Sequence, residues 1–132
     1  MAIADWQSML LLIDDDLRFQ QALTRALSIE GYEVESAANG AEGLEWLSRC
    51  TNLPELIVLD LAMPVLNGWR FLAVRANDPR LARVPVVIIS ASVGNDQRGA
   101  LAGATAVLTK PFRIEALLDV VEEFGIPTKR FQ

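Results

Sequence analysis

The sequence predicts an α/β fold in which a doubly wound, five-stranded parallel sheet carries helices on both faces. Two observations lead to this prediction. Strand-like segments alternate with helical segments five times along the chain, and several of the strand-like segments are apolar on both faces. Parallel strands need crossover connections, and a sheet covered by helices on both sides buries both faces of its strands. The length of 132 residues suits one domain.

The first predicted unit is a strand, a helix and a second strand. Residues 9–13 form a short apolar run that stops at three aspartates, which indicates a buried strand. Residues 16–30 place apolar side chains at helical spacing, and Gly31 ends that helix. Residues 32–37 alternate in polarity as a strand does, and an Asn-Gly turn signal follows them.

The middle of the chain repeats the pattern. A helix is predicted over 41–47, and Pro54 closes the loop behind it. Residues 56–59 are apolar throughout and form the third predicted strand. A further helix is predicted over 67–76. Three of its residues are expected to face the core: Trp69, Leu72 and Ala73.

The last third of the chain supplies two more units. Residues 86–89 are the fourth predicted strand. Residues 95–102 are weakly helical, with Gly99 inside this segment and Gly94 and Gly103 beside it. The fifth strand is predicted at 106–108 and the last helix at 113–124, ended by Gly125. Because the first, third and fourth strands are the most uniformly apolar, we expect them at the centre of the sheet.

The composition of the chain excludes several classes of function. Apolar residues make up 52% of the chain and the formal net charge is −5. The acidic balance disfavours direct binding to nucleic acid, because phosphate backbones require a concentrated basic face. No apolar run reaches the roughly 20 residues that span a membrane. Cys50 is the only cysteine, which excludes an internal disulfide and favours a cytoplasmic location. The chain has no histidine, which excludes Ser-His-Asp triads and histidine metal sites.

Polar side chains follow four of the predicted strands at the points where those strands end. They are the run Asp14-Asp15-Asp16, then Asp60, Ser90 and Lys110. In sheets of this kind, functional sites lie beyond the carboxyl ends of the central strands. Each group alone has an ordinary explanation as a helix cap, a strand-end hydroxyl or a solvated charge. Their shared position predicts one pocket.

The chemistry of that pocket points to phosphoryl transfer. Clustered carboxylates repel one another unless a cation lies between them, and their hard oxygen atoms suit Mg²⁺. Lys110 would add a fixed positive charge, and Ser90 a hydroxyl donor. The carboxylate of Asp60 could then attack phosphorus and form an acyl phosphate, since such transfers need mainly positioning and charge neutralisation.

Four segments resemble the motifs of the bacterial two-component response-regulator receiver domain, a chemotaxis-receiver-like fold. They are Leu-Leu-Ile-Asp14-Asp15-Asp16, Val-Leu-Asp60-Leu-Ala-Met63-Pro64-Val-Leu-Asn67-Gly68, Ile-Ile-Ser90-Ala91 and Leu-Thr-Lys110-Pro111-Phe112. The resemblance implies a flavodoxin-like strand order 2-1-3-4-5. It also divides the chain into a lead-in at 1–8, a receiver domain at 9–125 and a tail at 126–132.

The resemblance assigns a metal site. Asp15 matches the carboxylate that binds Mg²⁺ directly, and Asp14 matches its neighbour, which often acts through water. Asp60 and the backbone carbonyl of Ala62 match the remaining protein ligands. Mn²⁺ is expected to substitute for Mg²⁺.

The resemblance also assigns the reacting groups. Asp60 matches the phosphoacceptor, Ser90 the switch hydroxyl and Lys110 the lysine that binds phosphate. The bond between Lys110 and Pro111 matches one that is usually cis in the family. Asp16 is expected to cap the first helix.

One departure from the family pattern affects the expected output. Val107 stands where the family often has an aromatic residue, so rotation of a ring cannot report phosphorylation at that site. The signal is expected to pass through Ser90 and the segment 91–102 to the face formed by the fourth helix, the fifth strand and the last helix.

The implied protein is a phosphoacceptor regulator and not an enzyme with a separate substrate, although it promotes its own phosphorylation and dephosphorylation. Its implied partners are a sensor histidine kinase or a histidine phosphotransfer protein, which donates from phosphohistidine, and an unknown output partner. No membrane partner is expected. The resemblance does not decide between a monomer and a homodimer.

Three alternatives compete with this interpretation. A haloacid-dehalogenase-like phosphatase would need a second aspartate two residues after Asp60, where Ala62 stands. A flavodoxin-like cofactor binder would not place three aspartates where a phosphate binds. A pseudo-receiver, which acts as an interaction module without phosphorylation, remains the alternative to test.

Overall fold

The sheet of this protein has five parallel strands in the order β2-β1-β3-β4-β5. The coordinates are a computed structural model that describes residues 9–61, 66–90 and 103–126. The strands are β1 (Met9–Ile13), β2 (Glu33–Ala37), β3 (Leu56–Asp60), β4 (Val86–Ser90) and β5 (Ala106–Thr109). The helices of the described residues are α1 (Leu17–Ile29), α2 (Gly40–Arg49), α3 (Gly68–Ala76) and α4 (Ile114–Glu123). The predicted fold class and strand order are confirmed.

These elements coincide with the predicted ones, and their ends differ from the predicted ends by at most two residues. β1, β3 and β4 occupy the centre of the sheet, as expected from their apolar sequences. The predicted helix over 95–102, the lead-in at 1–8 and residues 127–132 of the tail lie outside the described residues.

Alternate strand residues face opposite sides of the sheet and build two cores. Leu11 and Ile13 of β1 face the side covered by α2 and α3, while Leu10 and Leu12 face the side covered by α1 and α4. The helices contribute these buried residues to the two cores: Leu47, Phe71 and Leu72 on the first side, and Leu23, Leu27, Leu117 and Val121 on the second. Every residue of β3 and β4 is buried.

Three helices begin at capping side chains that accept hydrogen bonds from their first turns. The Asp16 carboxylate accepts from the backbone N–H of Phe19 at 3.2 Å, which confirms the predicted cap of α1. Asn39 and Asn67 cap α2 and α3 in the same way, each at 2.9 Å. These caps accept from backbone N–H groups that have no partner within the helix, and they fix the residue at which each helix begins.

The prediction for the buried face of α3 was wrong in part. Ala73 is exposed and Trp69 is half-buried, whereas the buried side chains of this helix are Phe71, Leu72 and Arg75. Arg75 is buried because its guanidinium donates to the carbonyl of Val84 in the following loop, at 2.7 and 3.0 Å. Leu72 was predicted correctly, but helical spacing alone did not indicate Arg75, because a charged residue is ordinarily exposed to solvent.

The carboxyl ends of the strands lie at one edge of the sheet because all the strand pairings are parallel. In the described part of the chain, no helix has both the length and the apolar character that a membrane span requires.

Candidate functional site

The chain segment after β1 is held firmly at the sheet edge. The N–H of Asp14 donates to the carbonyl of Ala37 at the end of β2, at 3.1 Å. The Asp14 carboxylate in turn accepts from the backbone N–H of Asp16, at 2.8 Å. The buried side chain of Gln20 donates to the Asp14 carbonyl at 3.2 Å and to the Ala37 carbonyl at 3.0 Å. These hydrogen bonds restrict the movement of both the backbone and the carboxylate of Asp14.

Three carboxylates converge beside the end of β3. One oxygen each from Asp14, Asp15 and Asp60 can be chosen so that all three lie within 4.8 Å of one another. Asp14 and Asp60 are buried, with 0% and 4% exposure, whereas Asp15 is exposed. Such a cluster has one side open to water and two ligands fixed by the fold, which is a suitable geometry for a divalent cation.

Lys110, which directly follows β5, lies beside two of these acids. Its amine lies 3.3 Å from Oδ2 of Asp14 and 3.7 Å from Oδ2 of Asp60. The Lys110 side chain is 21% exposed, so these ion pairs are partly shielded from water. The backbone N–H of Lys110 donates to the carbonyl of Ser90 at 2.8 Å, which fixes the lysine where β5 ends. Lys110 therefore completes a charged cluster with the three acids.

The pKa of Asp14 is raised above its usual value of 3.8, chiefly because burial disfavours the charged carboxylate. The hydrogen bond from the Asp16 N–H and the positive charge of Lys110 act in the opposite direction, and the charge of Asp15 adds to the increase. Three carboxylates face one ammonium group here, so the ionised acids outnumber the positive charge, and a bound cation would offset the excess.

Ser90 is the last residue of β4, between the strand that ends in Asp60 and the strand that precedes Lys110. It is 2% exposed and pairs in register with Thr109. The peptide bond between Lys110 and Pro111 is cis, which confirms the prediction. Ala62, the predicted backbone ligand, lies outside the described residues.

α3 starts directly behind the end of β3 because a glycine permits close approach. A Cβ atom at Gly68 would lie 2.6 Å from Cα of Leu61 and 2.7 Å from the carbonyl oxygen of Asp60. The Gly68 N–H donates to the Leu61 carbonyl at 3.0 Å. Only a residue without a side chain fits between the helix and this backbone, so Gly68 lets α3 begin in contact with the end of β3 at Asp60.

Sequence reasoning missed two residues beside the site, Gln20 and Phe19. Gln20 lies at helical spacing with the buried Leu23 and Leu27, and a polar residue in that apolar stripe was a usable signal. Phe19 is one of the apolar residues at helical spacing within 16–30, and the amine of Lys110 lies 4.2 Å from the centre of its ring. No local pattern indicates that contact, because the two residues are far apart in the sequence.

A family model described as the response regulator receiver domain matches residues 10–122. The transcriptional regulatory protein PrrA of Mycobacterium tuberculosis is 42% identical over 118 residues, which cover 82% of this chain and 48% of PrrA. The response regulator MprA of Mycobacterium leprae is 39% identical over 114 residues, covering 83% of this chain and 47% of MprA. The chain thus spans about half the length of the curated relatives it matches.

Solved structures of similar proteins share the fold. The chemotaxis response regulator CheY4 of Vibrio cholerae superposes with a TM-score of 0.80 at 30% identity, over 89% of this chain and 98% of CheY4. The receiver domain of the Francisella response regulator 1452 superposes with a TM-score of 0.79 at 31% identity, over 89% of this chain and 95% of that one.

Proposed function

Because this chain belongs to the response regulator receiver domain family of two-component signalling proteins, we propose that it works through reversible phosphorylation of the Asp60 carboxylate. The observation that carries this proposal is the position of the Lys110 amine, 3.3 Å from Asp14 and 3.7 Å from Asp60. A lysine between two carboxylates can neutralise an incoming phosphoryl oxygen while Asp60 attacks phosphorus.

The residues present fit a divalent cation. Asp14, Asp15 and Asp60 offer carboxylate oxygens within 4.8 Å of one another, and hard oxygen ligands of this kind suit Mg²⁺ or Mn²⁺. We propose that these three side chains hold the ion, with the carbonyl of Ala62 as a further ligand. When bound, the ion would neutralise negative charge on the phosphoryl oxygens.

Side chains of the protein carry out the transfer itself. An oxygen of Asp60 forms the new bond to phosphorus, and the bond from phosphorus to the donor nitrogen breaks. The electron pair of that bond stays on the nitrogen, which takes up a proton from water and leaves a neutral imidazole on the donor. Lys110 stays paired with the acids until phosphoryl oxygens replace them. Ser90, at the end of the neighbouring strand, is proposed to donate its hydroxyl to the phosphorylated side chain. The same groups are proposed to promote the hydrolysis that resets the switch.

The proposed phosphodonor is a phosphohistidine on a sensor histidine kinase or a histidine phosphotransfer protein. Val107 is half-buried against the core beside α2 and α3 and carries no ring. We therefore propose that the signal passes from Ser90 to the segment 91–102 and on to the face that includes β5 and α4. We propose that the unknown output partner binds this face. The domain limits of 9–125 and the cytoplasmic location stay predictions.

Mass spectrometry of the intact protein tests the proposal. After incubation with acetyl phosphate or phosphoramidate and Mg²⁺, we expect one added phosphoryl group. The Asp60→Asn variant should gain none, and excess chelator should prevent the gain in the unchanged protein. A stable adduct in the variant would identify a different acceptor.

Thermal unfolding separates this proposal from the pseudo-receiver. Mg²⁺ binding to the folded state should raise the melting temperature, and beryllium fluoride, which mimics a phosphoryl group, should raise it further. No change with either addition would favour the pseudo-receiver.

A further inference from the structure

An aromatic ring lies against the amine that the phosphoryl group must meet. The amine of Lys110 lies over the ring of Phe19, 4.2 Å from the ring centre. This distance is within the range at which a cation is attracted to the face of an aromatic ring. The same amine pairs with the carboxylates of Asp14 and Asp60. The amine therefore contacts both the aromatic ring and the two acids.

The ring is itself held in place. The backbone N–H of Phe19 donates to the capping carboxylate of Asp16, which sets the residue in the first turn of α1. The ring of Phe112 meets the Phe19 ring edge to face, with 5.9 Å between centres and 84° between planes. Both rings are half-buried and pack against the core beside α1 and α4. Phe19 is therefore a fixed surface and not a side chain that follows the lysine.

A lysine amine on a four-carbon chain has many rotamers, and ordering that chain costs conformational entropy. We propose that Phe19 is a positioning residue for Lys110: its ring face keeps the amine in place above the acids, so that this ordering precedes the arrival of the phosphoryl group. The inference rests on the proposed function of Lys110 as the phosphate-binding lysine.

The competing explanation is that Phe19 only covers apolar surface. A series of fluorinated phenylalanines at position 19 distinguishes the two, because successive fluorine atoms remove the negative charge of the ring face while nearly preserving its shape. The series would run from phenylalanine through 4-fluoro- and 3,5-difluoro- to 3,4,5-trifluorophenylalanine. Phe19→Leu removes the ring, and Phe124→Leu is the matched control, since Phe124 is also half-buried against the same core.

The first measurement is the rate at which phosphoramidate phosphorylates the protein with saturating Mg²⁺. Phe19→Leu should react about three- to tenfold more slowly, and the fluorinated series should fall stepwise towards that value. Phe124→Leu should react at the unchanged rate. Equal rates across the fluorinated series would overturn the inference, as would the same loss in Phe124→Leu as in Phe19→Leu.

The second measurement needs neither metal nor phosphodonor. The chain has two lysines, Lys110 and Lys129, so lysine labelled with ¹³C at the ε position gives two NMR signals, which Lys129→Arg assigns. The ring face should shift the Lys110 ε-proton signal upfield, and Phe19→Leu should abolish that shift while Phe124→Leu preserves it. A Lys110 signal without an upfield shift in the unchanged protein would refute the contact. If the protein is not phosphorylated at all, the proposed function fails, and this signal alone still decides whether the ring holds the amine.

Discussion

Replacing Lys110 by methionine removes the one ammonium group that the described structure places among the three acids, while keeping an unbranched side chain of similar length. The amine of Lys110 lies 3.3 Å from an oxygen of Asp14, whose side chain is fully buried, and 3.7 Å from an oxygen of Asp60. Without it, the two buried carboxylates and Asp15 lose the ammonium group that the described residues place among them. We expect the folded state to lose stability at pH 7 in the presence of chelator.

The size of this loss follows from the distances. At 3.3 Å, Coulomb's law gives about 5 kcal/mol with an effective dielectric constant of ~20, and about 1 kcal/mol with that of water. The Lys110 side chain is 21% exposed and that of Asp14 is fully buried, so the attraction lies between these two values. Desolvation and the ordering of the side chain offset part of the gain. We therefore expect a decrease of about 1–3 kcal/mol in the free energy of unfolding.

Urea unfolding of four proteins measures this effect and assigns it to the pair. They are the unchanged protein, Lys110→Met, Asp14→Asn and the double variant. Because the amide that replaces the Asp14 carboxylate carries no charge, the lysine change should cost less in the double variant, with a coupling free energy of about 1 kcal/mol or more. The control is Lys129→Met, which removes the same charge from the predicted tail. A coupling free energy near zero would refute the electrostatic account of the cluster.

Three further changes test other parts of the structure. Gly68→Ala should lower the free energy of unfolding by about 2 kcal/mol or more in urea titrations, because the new Cβ would lie 2.6 Å from the backbone of Leu61. Gln20→Leu removes the amide that donates to the carbonyls of Asp14 and Ala37, of which the Ala37 carbonyl keeps the Asp14 N–H as a donor, and should cost about 1–3 kcal/mol. Unchanged urea stability would mean that water replaces the amide. Tyr32 is the only tyrosine, and burial raises its pKa above the usual 10.0 with help from two nearby glutamates. The folded protein therefore keeps this proton where the unfolded chain loses it, so the contribution of Tyr32 to stability is complete below about pH 10 and is lost as the pH rises further. Absorbance titration at alkaline pH should place the tyrosinate midpoint above that of the urea-unfolded chain, with Tyr32→Phe as the blank, and coincident midpoints would contradict the prediction.

The sheet and the charged site were predictable because both depend on short-range patterns. Apolar runs that end at Asp14, Asp60, Ser90 and Lys110 define where strands stop. Parallel pairing then brings those ends to one edge without further information. The ion pairs of Lys110 with Asp14 and Asp60 were expected for that reason.

The contacts that were missed depend on partners distant in the sequence. Arg75 is buried because the carbonyl of Val84 accepts from its guanidinium, and helical spacing cannot reveal such a partner. Gln20 is buried because two strand ends present their carbonyls to its amide. Phe19 matches the apolar stripe of α1, yet its contact with Lys110 exists only after β5 joins the sheet.

Chemical location of the phosphoryl group tests the central claim most directly. Borohydride reduces an aspartyl phosphate to homoserine, and peptide mapping then shows which aspartate carried the group. After reaction with phosphoramidate and Mg²⁺, homoserine should appear at position 60 and at no other aspartate. Homoserine in place of Asp14 or Asp15, or at no position in protein that had been exposed to the donor, would contradict the account.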